Sequence, residues 1–409
     1  MRRIKALTAA VSLVVLGSVL LLVLWANLPA DMLRQRHLPS VVYTRRPSRP
    51  WFISGGWEWP QPGDGTAPRR VWPREAPATS DRIVEQLMFS PLRRRPRRKV
   101  VVYNGLASWG DVPAGEEPFA HCPVSECSLS DRRLDAWDAD AIIFRDFIPR
   151  TPFPRRPEQI WILYMLEPPA YGKRFSRHDV INWTATYRRD SDLVTPYEKW
   201  VYYDDAEGAA YRDRQPPNVA ANKTRKVAWF VSNCATVNDR MGYAKELQKH
   251  IQVDIYGLCG KLECPRKDPR CPEMVDRDYK FYLSFENCNC RDYITEKLFV
   301  NGLSRRVLPV ALGARPADYA LSAPRGSYLL AEHFGSPEEL ARYLHFLDAH
   351  DDQYNAYFAW KGTGEFINTH FFCRLCALLH DEYPTKWYPD INEWWDGPGT
   401  CAERLWTDG

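Results

Sequence analysis

Residues 279 to 313, YKFYLSFENCNCRDYITEKLFVNGLSRRVLPVALG, run from an apolar stretch straight into polar residues and then into helical spacing. That order is strand, polar switch, helix. Phe281, Tyr282, Leu283 and Phe285 build the strand, and Glu286 and Asn287 stand at its carboxyl end, where ligands of open α/β sheets collect. After Asp292, the residues Tyr293, Ile294, Leu298, Phe299 and Leu303 give a helix an apolar face, which Glu296 and Lys297 interrupt. A helix amino terminus carries free N–H groups and partial positive charge, and Lys297 adds a full one, so a diphosphate suits the position. Glu296 is placed to accept hydrogen bonds from ribose or sugar hydroxyls. By residue type alone, a solvated helix face explains the Glu and Lys equally well.

The same alternation fills most of the chain, whose 409 residues have room for two domains. Apolar runs predict strands at 100–103, 141–144, 160–165 and 180–187 in a first block. A second block, from Lys226, offers a strand at 227–231, a helix at 241–251, a strand at 253–256, the strand and helix above, and a strand at 307–311. Ser336 with Glu339 reads as a capping box opening a helix that carries Leu340, Tyr343, Leu344 and Leu347. Two such blocks predict two α/β domains with parallel sheets and a site in the cleft between them. No Gly-x-Gly-x-x-Gly loop is present, so a dinucleotide cofactor is not supported.

Residues 7–28 form 22 residues without a charge, preceded by Arg2, Arg3 and Lys5. The expectation is a signal anchor of type II topology, with a cytosolic tail at 1–6, a membrane span at 7–28 and the remainder lumenal; a long cleaved signal is the alternative. Residues 29–80 hold nine prolines and four glycines without periodicity and read as a stem. Trp51, Phe52, Trp57 and Trp59 are unusual there, and packing on the body, packing on a partner stem as an oligomer, and loose order all remain open. Eleven cysteines and the sequons at Asn182 and Asn222 fit an oxidising, lumenal compartment, and the odd count leaves at least one thiol free or paired between chains. The basic run from Arg93 to Lys99 would be lumenal too, so no nucleic-acid partner is expected, and the net charge is only +4. Asp138-Ala-Asp140 has a metal-binding D-x-D spacing but stands at a strand edge without matching polar context, and the lone C-x-x-C of Cys373 and Cys376 lacks a second pair, so no metal site is predicted.

The strings FEN, DYITEKLFVNGL and VLPVALGA resemble the signature of the α1,3-fucosyltransferases, and the resemblance runs from about Asp81 to the end. Within that family, DRIVEQLMFSP at 81–91, NWTATYRRDSD at 182–192, YFAWKGTGEFINTHFFCRLC at 357–376 and WWDGPG at 394–399 resemble the invertebrate and plant enzymes that fucosylate the N-glycan core. The resemblance implies two Rossmann-like domains in the GT-B arrangement: an acceptor-side domain at 81–222, a donor-binding domain at 223–365, and a segment at 366–409 that returns to the first. It also implies bridges from Cys373 and Cys376 to Cys122 and Cys127. GDP-fucose is the implied donor, with no required cofactor, and stimulation by Mg²⁺ or Mn²⁺ stays open.

Residue by residue, the resemblance makes Glu167 the general base, at the end of the strand at 160–165. Pro168 follows it where the family has Ser, which leaves the base's hydrogen-bond support open. Arg240 and Lys297 would neutralise the diphosphate, and Tyr187, Ser232, Asn233, Tyr282, Asn287, Tyr293 and Glu296 would line the donor pocket. Cys288 departs from the usual Ser or Thr after FEN and, with Cys290, flanks that pocket; a bridge between the two is not expected across so short a span. The Asn182 sequon falls in a motif near the cleft, which makes Asn222 the better acceptor of a glycan. The implied protein is a Golgi membrane enzyme inverting β-linked fucose into an α1,3 linkage on the Asn-linked GlcNAc of N-glycoproteins. A Lewis-type enzyme acting on outer-chain GlcNAc and a catalytically weak glycan-binding homologue are the alternatives.

Overall fold

The computed structural model describes residues 49–62, 69–93, 96–203, 216–265, 268–382, 386–403 and 405–406. The expected anchor at 7–28 lies outside them. Among the described residues no helix is long and apolar enough to cross a membrane.

In chain order the strands are β1 (Arg98–Val102), β2 (Cys127–Ser130), β3 (Ala141–Arg145), β4 (Ile160–Met165), β5 (Trp183–Thr186), β6 (Lys199–Tyr202), β7 (Arg225–Phe230), β8 (Val253–Tyr256), β9 (Tyr279–Phe285), β10 (Asn289–Cys290), β11 (Leu308–Leu312), β12 (Leu329–Leu330), β13 (Gly364–Ile367) and β14 (Cys401–Ala402). β1 to β5 form a parallel sheet in the order β2-β1-β3-β4-β5. A second parallel sheet runs β12-β11-β9-β7-β8. Both follow one plan: the chain lays an inner strand, adds the next on one side, then crosses over and continues on the other. The direction reverses between β1 and β3 in one sheet and between β7 and β9 in the other. At such a reversal the departing loops part and leave a crevice at the carboxyl ends.

Strands buried on both faces need continuous apolar runs, and β9 is buried at every residue. Phe281, Leu283 and Phe285 point into the core formed with Trp229 and with Leu340, Leu344 and Leu347 of the helix Pro337–Ala349. Ser336 caps that helix by accepting from the Glu339 N–H at 3.2 Å, while the Glu339 carboxylate accepts from Gly335 N–H at 2.9 Å. Tyr282 faces the opposite side, among Tyr256, Tyr279 and Val307. The expected helix at 241–251 spans Arg240–Leu247.

The segment expected as a stem packs on the body from residue 49 onward. Phe52 and Ile53 are buried against Ile83, Leu87, Val194 and Ile367, and Val71 and Trp72 enter the first-sheet core. Trp51 stacks on Trp59 at 5.2 Å, and the Ser54 N–H donates to Glu365 at 2.6 Å. Burying large rings outweighs the lack of regular structure. Trp57 alone of the four aromatic residues stays mostly exposed, at 63%.

The C-terminal segment splits its allegiance. Its helix Phe371–His380 packs in the first-sheet core, and disulfides Cys122–Cys373 and Cys127–Cys376 fix it there. The last residues do otherwise: β14 pairs with β10, Cys401 bonds to Cys290, and the Trp406 indole donates to Gly313 O at 2.9 Å. Residues 366–409 therefore do not all return to the first sheet. Cys234–Cys259 and Cys264–Cys271 complete the disulfides, leaving Cys288 as a buried thiol.

Replacing Cys373 and Cys376 together by Ser opens loops that span 251 and 249 residues. Removing a native disulfide costs about 2–5 kcal/mol, so the guanidinium unfolding midpoint of the double variant should fall sharply; an unchanged midpoint would mean the bridges constrain nothing.

Candidate active site

Glu286 follows β9 and is fully buried. Its N–H donates to Leu312 O at 2.8 Å, continuing the β9–β11 ladder. The carboxylate accepts from Thr295 N–H at 2.8 Å, from the Thr295 hydroxyl at 2.8 Å, and from the Lys297 ammonium at 2.9 Å. Burial raises the Glu286 pKa, with Lys297 opposing it. Burial likewise would lower Lys297, but the Glu286 and Glu296 carboxylates outweigh it and hold the amine protonated. Gly313 permits this packing: at its φ of +142° a Cβ would lie 2.5 Å from Glu286 Cβ.

The helix begins later than the spacing suggests. Thr295 is its N-cap, Glu296–Leu298 are its first residues, and Phe299–Leu303 continue as a wider π turn. A side chain at Gly302 would collide with Pro309 at 2.8 Å. Asp292 lies before the cap in a left-handed conformation, φ 62°. Lys297 thus sits on the Glu286 carboxylate at 2.9 Å, with Glu296 at 3.3 Å and half exposed.

The loop after β7 meets this one. Asn238 donates to Glu286 O at 3.1 Å and to Asn289 at 2.9 Å. Asp239 caps the helix Arg240–Leu247 through Gly242 N–H, so Arg240 stands at its first position. The Arg240 guanidinium is buried and donates to Phe285 O at 2.6 Å and Asn233 O at 3.1 Å. Burial lowers its pKa, with Glu286 pulling the other way. Ser232 and Asn233 are exposed at the same β7 end, which is the switch point of the sheet.

The first sheet supplies the facing wall. The loop after β4 carries Glu167, exposed, and Tyr171, whose hydroxyl donates to Asn287 O at 3.1 Å. Tyr197 donates to Leu166 O at 3.2 Å, and its ring lies 6.4 Å from that of Tyr293. The Glu167 charge raises the pKa values of Tyr197, Tyr293 and Cys288, after the larger effect of burial on each. Glu167 therefore shares one electrostatic neighbourhood with the second-sheet cluster. The two walls are clasped beneath: Arg189 donates through its N–H to Asp292 at 3.1 Å and through its guanidinium to Ser322 at 2.6 Å. Burial and the like charge of Asp318 push Asp292 up to about 6.

Among the described residues, Arg240 Nε, Asn287 Oδ1 and the Tyr187 hydroxyl are buried here without a hydrogen-bond partner. An unsatisfied buried group costs about 1–3 kcal/mol, and such groups in native proteins point to a role. Tyr187 packs on Tyr293 at 5.0 Å and on Trp395 at 5.5 Å. The structure thus brings Glu167, Tyr187, Ser232, Asn233, Arg240, Asn287, Tyr293, Glu296 and Lys297 to the meeting of the two sheets. Tyr282 is the exception, because the strand alternation turns it into the core. Glu286 and Thr295 were missed, although the FEN string flagged the first; their pairing with Lys297 depends on the loop path, which no local pattern reveals.

Asn182 is a second correction. It is buried, accepts from Trp161 N–H at 2.8 Å and donates to Lys386 O at 2.8 Å, so the fold leaves no room for a glycan on it. Asn222 is exposed in a turn at φ 65°. Asp138 and Asp140 are held by Lys99 at 2.8 Å and Arg98 at 2.5 Å, consistent with a strand-edge role.

Two outcomes follow from this geometry. Gly313→Ala should displace Glu286, lowering the thermal midpoint and reducing transfer at least about tenfold, since 1.4 kcal/mol is one decade; wild-type kinetics would remove Glu286 from its supporting role. Intact-mass measurement of the expressed protein should show loss of one glycan in Asn222→Gln and no glycan loss in Asn182→Gln.

Residues 220–394 match the family described as glycosyltransferase family 10 (fucosyltransferase) C-term, and residues 95–198 match fucosyltransferase, N-terminal. The chain is 49% identical over 378 residues to glycoprotein 3-alpha-L-fucosyltransferase A of Drosophila melanogaster, covering 87% of this chain and 74% of that protein. It is 40% identical over 311 residues to alpha-(1,3)-fucosyltransferase C of the same organism, covering 70% and 72%. A crystal structure of an alpha1,3-fucosyltransferase with GDP-fucose aligns with a TM-score of 0.45 at 16% identity, covering 74% of this chain and 97% of that one. With its N-terminal and C-terminal halves both matched, and the signature loop lying where the two sheets meet, the chain belongs to the family 10 fucosyltransferases.

Proposed function

We propose that the protein transfers L-fucose from GDP-β-L-fucose to the Asn-linked GlcNAc of N-glycoprotein cores, in α1,3 linkage and with inversion. The observation that carries the reading is the exposed Glu167 carboxylate, on the loop after β4 whose Tyr171 touches Asn287, and whose charge acts on Tyr293 and Cys288 of the second-sheet loop that also holds Lys297. An acceptor hydroxyl bound between the walls gives its proton to Glu167 as its oxygen attacks the anomeric carbon. The bond from that carbon to the diphosphate breaks on the opposite face, and GDP leaves with the electron pair. Lys297 and Arg240 are placed to offset the charge that develops there, and being fixed beforehand they need not reorganise. Ser232 and Asn233 stand where a nucleotide base or ribose would be bound, at the carboxyl end of β7.

The 49% identical relative, a glycoprotein 3-alpha-L-fucosyltransferase, supports the glycoprotein acceptor. The 22 uncharged residues at 7–28 and five disulfides support a Golgi type II membrane protein with a lumenal catalytic body. Outer-chain GlcNAc is the second reading, favoured by a human relative named 4-galactosyl-N-acetylglucosaminide 3-alpha-L-fucosyltransferase, 35% identical over 276 residues.

The full chain, given GDP-fucose with a trimmed N-glycopeptide or N-acetyllactosamine, with and without Mg²⁺, should place fucose on the innermost GlcNAc; product on lactosamine alone would select the second reading. Glu167→Gln should lose transfer by about 10²–10⁴, the range of general-base catalysis, with GDP affinity unchanged. Lys297→Ala should weaken GDP binding in the same titration. Full turnover by the Gln variant would exclude Glu167 as the base.

A further inference from the structure

A groove of about 590 Å³ opens beside the outer strand of the first sheet, lined by Trp72, Trp183, Asp190, Lys386, Trp387 and Trp394. None of these residues belongs to the site above. Trp183 is on β5, and its ring lies 5.0 Å from Trp72, which reaches it from the segment expected as a stem. Trp394 closes one side, with the Arg188 guanidinium 4.1 Å over its ring and Tyr388 at 5.5 Å. Trp387 stands at the rim, 55% exposed. A large ring left this open beside other rings is a contact surface without its partner.

The polar groups among these rings are the carboxylates of Glu75, Asp190 and Asp192, the Arg74 guanidinium, the Lys386 amine and the Tyr388 hydroxyl. Asp190 accepts from Arg188 at 2.7 Å and from Arg291 at 2.5 Å, yet its side chain remains 42% exposed. Lys386 bridges to the buried Asp192 at 2.5 Å. Pyranose rings have an apolar C–H face and a hydroxyl rim, so they fit flat aromatic surfaces flanked by hydrogen-bonding charges. A lipid chain would strip water from those charges and offer them no hydrogen bond in return. The volume lies in the range of about 300–1,000 Å³ typical of small-ligand sites, room for a few sugar units.

The groove shares a wall with the reaction site. Arg291, which holds Asp190, belongs to the loop that carries Tyr293, and Trp395, next to Trp394, packs on Tyr187. We propose that this groove binds a neutral oligosaccharide arm of the acceptor, beyond the sugar that receives fucose. The proposal rests on the reading of the acceptor as an N-glycan. It makes Trp387 a specificity residue that touches no reacting atom.

The test uses the full chain, as wild type, Trp387→Ala and Trp387→Phe, with two glycopeptides: one with a branched N-glycan and one with only the two core GlcNAc residues. A ring contact is worth about 0.5–1.5 kcal/mol, so the Ala variant should raise KM for the branched substrate up to about tenfold at unchanged kcat. The short substrate should be unaffected, and Phe should restore most of the loss. Tryptophan fluorescence titrated with the free branched oligosaccharide should give binding to wild type that Ala weakens. Equal KM values for wild type and Ala, equal losses on both substrates, or a changed oligomeric state in the Ala variant would each overturn the groove assignment. If wild type transfers to neither substrate, the proposed function fails, and the fluorescence titration alone then decides the groove.

Discussion

The buried carboxylate of Glu286 organises the second half of the molecule. An ionised group with no exposure to water is tolerable only with partners on every side, and those partners come from one loop: the Thr295 N–H and hydroxyl and the Lys297 ammonium. Satisfying Glu286 therefore fixes where the helix starts and where Lys297 points. It also explains Gly313, whose missing side chain lets β11 leave the sheet against Glu286. Losing one partner of such a pair costs about 3–5 kcal/mol, more than any single contact at the surface could restore.

The two sheets are held together by polar contacts as much as by packing. Arg82 donates to Arg189 O at 2.7 Å and Ser191 O at 2.5 Å, and Gln86 to Asp192 O at 2.8 Å. These bonds support the run at 187–192 from beneath, and Arg189 extends from that run to Asp292 and Ser322 across the meeting of the sheets. The motifs at 81–91 and 182–192 are thus two halves of one support. Their residues are mostly structural, whereas the reacting groups stand on loops above them.

The α/β architecture was legible because a parallel strand buried on both faces must be continuously apolar. β4 and β8 occupy the expected residues, and β3, β9 and β11 differ from the expectation by little. β2 was not legible, since its alternating Cys and Ser residues are placed by the Cys127–Cys376 bond and by pairing with β1. Nor was the antiparallel β6–β13 pair, whose strands are separated in sequence by the whole second sheet. At the site, the family resemblance located Glu167 and Arg240, and the strand-to-helix switch pointed to Lys297, but the face that Tyr282 takes was not legible: a Tyr in a strand reads the same whichever side it turns to. Aromatic residues at 51–59 signalled that the segment was unusual without saying what it would cover.

The Cys290–Cys401 bond and the β10–β14 pair place Cys401 and Ala402 against the signature loop. Trp406 adds its bond to Gly313, the residue on which Glu286 rests. In a protein made from its amino terminus onward, this loop therefore lacks its outer support until Cys401 and Trp406 have been made. The two bridges from Cys373 and Cys376 impose the same timing on the first sheet. Both halves wait on residues 373–406, and a chain cut before Cys401 would retain the signature sequence without the clamp that holds it.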